Sequence, residues 1–145
     1  MEIKLEIGID DIKFGMKKSE VEQILGLPDR ARIDEDDENK LMLDYNALNP
    51  RLSFYPNEED KLAYIECSNK NLTFKGEKII DSNIDFVKMV IFGDVISEWD
   101  VSDYRSFTAH FNEKFWFTLQ SEYEKVTEIE LGVPFENEET YKWPI

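Results

Sequence analysis

Glu128 and Glu130 stand two positions apart in the strand-like run 125–133, so both fall on one face of a strand. Paired carboxylates serve glycoside hydrolysis when a partner faces them across a cleft and one carries a raised pKa. The sequence supplies neither sign. His110, the single histidine, lies between Ala109 and Phe111, and no Ser-His-Asp set can be built around it. A structural or exposed role fits it better. Cys67, the single cysteine, reads as a small buried core residue rather than a nucleophile. One Cys and one His cannot furnish a zinc cluster. The acidic run at residues 34–38 lacks the Gly and the terminal Glu of a calcium loop, and reads as a solvated loop. No phosphate-binding loop or dinucleotide fingerprint is present; Phe92-Gly93-Asp94 marks a helix end. These residues lead us to expect no enzyme, no metal and no cofactor.

Charge then sets the class of partner. Thirty-two acids against seventeen bases give −15 over 145 residues. Such a field repels nucleic acid and anionic membranes and attracts basic partners. Ten Phe, six Tyr and three Trp are too much apolar material for a disordered chain. The length suits one domain, or two small fused ones, with a core that needs no disulfides. A single cysteine fits a reducing compartment. The start of the sequence lacks the basic stretch and apolar run of a signal peptide, so a cytoplasmic location is expected.

The elements follow from periodicity. Val21, Ile24 and Leu25 recur at helical spacing over residues 17–25, with Gly26 and Pro28 as stops. Strands are expected at 41–47, 52–55 and 61–68. A second helix is expected at 82–92, with Ser82 as N-cap and Ile84, Val87, Val90 and Ile91 inward. Strand-like runs follow at 95–101, 104–111, 114–120 and 125–133, with a hairpin at Asn112-Glu113. The expected fold class is α+β. It comprises two tandem units of helix followed by an antiparallel strand meander, with helices packed on one face of the sheet. The units are residues 1–70 and 71–135, and 136–145 form an acidic and aromatic tail. That tail is expected to be loose until Tyr141, Trp143 and Ile145, which could dock back. A shift of 64 positions lays 61–67 over 125–131 with Lys, Ile and Glu matched, which points to an internal duplication.

Within residues 12–29, the Gly15-Met16, Glu20-Val21, Leu25-Gly26 and Pro28-Asp29 steps form a recognisable wording. This stretch resembles the opening of domains similar to the β-lactamase inhibitor protein and the BamE-type outer-membrane lipoproteins. The resemblance implies a helix leading into an antiparallel sheet, carried twice in the inhibitor, whose concave surface grips an enzyme. Small acidic α+β bodies are also used by bacterial immunity proteins, as in contact-dependent growth inhibition. The sequence departs from those families in carrying Lys17 where a Ser or Thr cap is usual. It has no lipidation signal, and its second half lacks the Gly-Met wording.

Alternation assigns the sheet faces. Leu52, Phe54, Ile65, Phe107, Ala109, Phe111, Phe115, Phe117, Leu119, Ile129 and Leu131 are expected inward. The open face then carries Asp44, Tyr55, Tyr64, Glu66, Tyr104, Ser106, Thr108, His110, Trp116, Thr118, Glu128 and Glu130. For the run 95–101, either Trp99 or the pair Glu98 and Asp100 faces out. Aromatic anchors ringed by carboxylates suit a protein interface. The partner-binding set is Asp44, Tyr55, Tyr64, Glu66, Trp99, Tyr104, Trp116, Glu128 and Glu130. Alternatively, the tail or a dimer mate covers the aromatics. The expected function is an immunity protein that neutralises a cognate toxin, a basic cytoplasmic nuclease domain, as a monomer or weak dimer. The alternative is a non-catalytic scaffold or assembly module of the BamE-like kind.

Overall fold

The structure, a computed structural model, describes residues 1–144. Three two-residue strands open the chain as a small antiparallel meander: β1 (Ile3–Lys4), β2 (Gly8–Ile9) and β3 (Ile12–Lys13). Helix α1 (Lys18–Leu25) follows. Glu20 Oε1 accepts the Lys17 backbone N–H at 3.0 Å. At the other end Gly26 adopts φ 80°, and its carbonyl accepts the Tyr45 hydroxyl at 2.9 Å. Both ends are thus supplied with partners their backbone groups would otherwise lack.

Next come β4 (Arg30–Asp34), β5 (Lys40–Asp44), β6 (Pro50–Tyr55) and β7 (Lys61–Cys67). The hairpin β8 (Thr73–Phe74) and β9 (Glu77–Lys78) leads to α2 (Ile84–Phe86). This short helix runs on into a π-helical turn, Val87–Ile91. Strands β10 (Asp100–Asp103), β11 (Thr108–Asn112), β12 (Phe117–Glu122) and β13 (Lys125–Gly132) complete the described elements.

Eight strands join in one antiparallel sheet of order β10-β11-β12-β13-β7-β6-β5-β4. The last strands of the two meanders meet at its centre, with Ile65 opposite Leu131, Glu66 opposite Glu130, and Cys67 opposite Ile129. This corrects the expected fold class. The molecule is sheet-dominated, with helices of eight and three residues, and not a pair of helix-plus-meander units. The physical reason lies in β7 and β13. Each ends its own meander with an unpaired row of backbone groups, and each satisfies the other.

One sheet face makes the core. Leu43, Leu52, Phe54, Ile65, Phe117, Leu119, Ile129 and Leu131 are all buried there, together with Val21 of α1 and with Val87, Ile91 and Phe92. Each such side chain contributes roughly 1.5–3 kcal/mol of burial. The expected second helix is corrected in detail. Asn83 is its cap, accepting the Asp85 and Phe86 N–H groups at 2.9 and 3.1 Å, while Ser82 donates to the Lys78 carbonyl. The wide turn rotates Val90 into solvent while Val87 and Ile91 stay inside.

Strand β11 inverts the expected phase. His110 and Asn112 are buried, and Phe111 pairs with Thr118 on the open side. The polar side chains tolerate the core because they are satisfied there. Asn112 Nδ2 donates to the Glu98 carbonyl at 3.0 Å, and its Oδ1 accepts the Phe115 N–H at 2.9 Å. Asn112→Ala leaves both backbone groups without a partner. We expect it to lower stability by about 1–3 kcal/mol in urea unfolding; an unchanged midpoint would contradict this account of β11.

Candidate functional site: the open face of the sheet

The face opposite the core is ordered by register. One transverse row runs Arg30, Asp44, Arg51, Glu66, Glu130, Thr118, Phe111 across seven strands. Beside it run Arg32, Met42, Ser53, Tyr64 and Gly132. On the other side Gln120 lies opposite Glu128. Neighbours along a row are in direct side-chain contact range, so their charges act on one another.

Two carboxylates in this array are satisfied. Asp44 accepts Arg51 Nε at 2.7 Å, with Arg32 Nε at 3.9 Å on its other oxygen. Glu130 accepts the Tyr64 hydroxyl and Gln120 Nε2, each at 2.8 Å. Two are not: among the described residues, Glu66 and Glu128 form no side-chain hydrogen bond or ion pair. Burial pushes the Glu66 carboxyl up to about 7, helped by Glu130 and Glu128 and opposed by Arg51. Burial likewise raises Glu128, with Glu130 adding to it and Arg51 opposing. Burial and then Glu130 raise the Tyr64 hydroxyl, which stays protonated as a donor. Arg30, Asp44, Asn46, Arg51, Glu66 and Glu128 line a polar depression of about 320 Å³.

Aromatic rings border the acidic centre. Trp116 stands over Gly132, where any Cβ would run into the indole and the Tyr64 ring. Its ring meets Phe111 at 5.1 Å and Phe135 at 5.2 Å, both edge-on. Phe135 stacks on Tyr141 at 4.6 Å, and Tyr141 approaches Tyr55 at 6.1 Å and Trp143 at 5.7 Å. The tail is therefore held by its aromatic contacts, with Phe135 and Tyr141 in a β-bridge, and it walls one end of the face. Ile145 lies outside the described residues.

Of the nine expected site residues, Asp44, Tyr55, Tyr64, Glu66, Trp116, Glu128 and Glu130 share this face. Trp99 does not. It packs against Phe92 and Phe117 at 6.5 and 6.2 Å and belongs to the core. Tyr104 sits beyond the end of β10, stacked on Phe107 at 4.9 Å. Arg51, Arg30, Arg32 and Gln120 were not expected in the site. The Leu52–Phe54 alternation already places Arg51 outward. In residues 30–33, Arg alternates with Ala and Ile as a strand would, but the neighbouring Pro28 and the acidic run hide it.

His110 offers no base for nucleophilic chemistry. Its Nδ1 lies 3.1 Å from Lys88 Nζ, and its Nε2 lies 2.9 Å from Ser121 Oγ. Lysine has only donors, so Nδ1 accepts and Nε2 carries the proton toward Ser121. That tautomer cannot take a proton from the hydroxyl. Burial, then Lys88, lowers the His110 pKa. Burial pushes the Cys67 thiol up to about 11, which leaves it unreactive at neutral pH.

No family model and no curated protein match the chain. Solved structures do. An extracellular protein containing a SCP domain from Bacillus anthracis str. Ames matches with a TM-score of 0.57 at 12% identity, over 81% of this chain and 43% of that one. A cysteine-rich secretory protein from Staphylococcus aureus subsp. aureus Mu50 matches at 0.46 and 10% identity, over 90% and 48%. The chain thus spans under half the length of each. At these identities the likeness is one of fold, and it overturns several expectations. The fold is shared with a protein described as extracellular. The readings as an immunity protein, a contact-dependent growth inhibition component, a β-lactamase-inhibitor-like or BamE-like domain, and a cytoplasmic protein are set aside.

The crowding of Glu66 has a measurable consequence. Its carboxyl rises from about 4.5 unfolded to about 7 folded, so the fold favours the protonated form. The stability this contributes is complete below about pH 4.5 and is lost as pH rises through 7. Glu66→Gln is expected to raise stability at pH 8 by about 1–2 kcal/mol, after screening by partial solvent contact, and by much less at pH 5. Urea unfolding at both pH values checks this; an equal effect at both would refute it.

Proposed function

We propose that the chain is a non-catalytic binding module whose open sheet face receives a basic, extended segment of a protein partner. The observation that carries this reading is the pair of unsatisfied carboxylates, Glu66 and Glu128, half-buried beside Arg51 in the polar depression. A guanidinium or ammonium group entering there supplies positive charge to the two carboxylates that Arg30, Arg32 and Arg51 do not engage. It replaces carboxylate–carboxylate repulsion by attraction and lowers both pKa values. Gln120, opposite Glu128, offers a further polar contact, and the Trp116, Phe135 and Tyr55 rings give apolar anchors at the border. The net charge of −15 speeds the encounter of such a partner.

The non-catalytic part of the reading is supported by the tautomer of His110 and by the raised thiol of Cys67. The Bacillus anthracis protein is described as containing a domain, and the chain matches less than half of it.

A peptide carrying alternate arginines is the direct probe, with its glutamate counterpart as control. Calorimetry is expected to show binding of the arginine peptide only, weakened at least tenfold between 50 and 300 mM salt on a scale set by screening. Affinity is expected to rise with pH through about 7, as Glu66 becomes charged. Glu66→Gln with Glu128→Gln is expected to weaken binding about tenfold or more, while Glu77→Gln on the β9 hairpin leaves it unchanged. Equal binding to the double variant and the parent would sink the proposal.

A further inference from the structure

On the core side of the sheet, a cavity of about 220 Å³ opens between the N-terminal meander, α1 and the sheet. Its walls are Ile9 and Ile12 from the meander, Ile24 and Leu25 from α1, and Leu52 and Ile65 from the sheet. Asp10, Asp11 and Leu48 stand at its rim. Protein interiors are close-packed, with few voids larger than a water molecule. The mostly apolar lining offers water few partners, so an apolar body can displace it. Ile24 and Leu48 keep 46% and 39% of their surface exposed, so the apolar lining continues outward to solvent. The space is therefore reachable from outside.

We propose that this cavity binds a small ligand with an apolar body and a cationic head, of the arylalkylamine class. Size sets the body. A dry cavity of about 150 Å³ accepts benzene, and the larger volume here admits a ring with a short carbon arm. Charge sets the head. Asp10 is engaged: its Oδ1 accepts the Glu2 N–H at 2.7 Å, and Lys4 Nζ rests on its carbonyl at 3.1 Å. Its other oxygen lies 4.0 Å from the Met1 amine. Asp11 has no such partner among the described residues, and it stands at the mouth of an apolar hole on a strongly acidic protein. An ammonium on the ligand's arm would meet it there. Because Asp11 is solvent-exposed, the ion pair adds only several-fold to the affinity set by the apolar body.

The cavity lies against Leu52 and Ile65 on the core side and the peptide site against Arg51 and Glu66 on the open side, with only Pro50 common to both linings, so the two proposals are tested by different residues. Methyl NMR titrations with 2-phenylethylamine, 2-phenylethanol and phenylacetate test it on the intact chain. The expected result is movement of the Ile9, Ile12, Leu52 and Ile65 methyls, with the amine bound several-fold tighter than the alcohol and the acid weakest. Asp11→Asn is expected to bring the amine down to the alcohol. Ile24→Trp, at the mouth, is expected to abolish all three responses while the melting temperature holds. No methyl response at millimolar ligand, responses confined to the open face, or an amine no tighter than the alcohol would each overturn the proposal.

Discussion

The pairing of β7 with β13 is the constraint on which the rest of the molecule depends. It is the only ladder that joins the two meanders within the eight-stranded sheet among the described residues. Its register decides which residues are core. A slip of β13 by one position would carry Ile129 and Leu131 to the open face and push Glu128 and Glu130 into the interior. The apolar alternation of both strands forbids that slip. The same register sets Glu66 against Glu130, residues 64 positions apart in the chain. The flanking pairs, Ile65 with Leu131 and Cys67 with Ile129, are arranged about that central pair as by a local two-fold axis.

A carboxylate facing a carboxylate at the centre of a sheet is unfavourable in isolation. The surrounding array shares out the cost. Glu130 is held by hydrogen bonds from two neutral donors, Tyr64 and Gln120. Glu66 is left between it and Arg51, whose guanidinium is already committed to Asp44. The strain thus collects on Glu66 and Glu128, the two groups the fold leaves without partners. Two bulges, between Ser53 and Phe54 and between Gln120 and Ser121, sit in corresponding places of the two halves and twist the strands around this centre.

Much of the site was legible because strong alternation fixes phase. Leu52 and Phe54, Phe117 and Leu119, and Ile129 and Leu131 announce their face, and with it Glu66, Glu128, Glu130 and Tyr64 opposite. The phase failed in β11, where Ala109-His110-Phe111-Asn112 alternates apolar with polar in the wrong sense. Only tertiary partners, Glu98, Ser121 and Lys88, make the polar phase the buried one. Trp99 was unreadable for a related reason: the segment before β10 is irregular, so alternation has no meaning there. The joining of both meanders into one sheet was also hidden. A helix-like pattern at 84–91 suggested a second full helix. The π-helical turn and the short length came from packing that no local periodicity reports.

The central ladder also dictates an order of events. Residues 61–67 leave the ribosome well before residues 125–132, so β7 waits as a bare edge while the second meander is made. An edge carrying Leu62, Ala63, Ile65 and Cys67 on its inner side is the kind of surface that recruits foreign strands. Glu66, Tyr64 and Lys61 on its outer side act as gatekeepers during that interval. The acidic crowding that the finished sheet tolerates is thus, in the nascent chain, a guard against pairing with another copy. The fold closes late, through long-range contacts, and its rate of folding is tied to the 64-residue loop that this ladder closes.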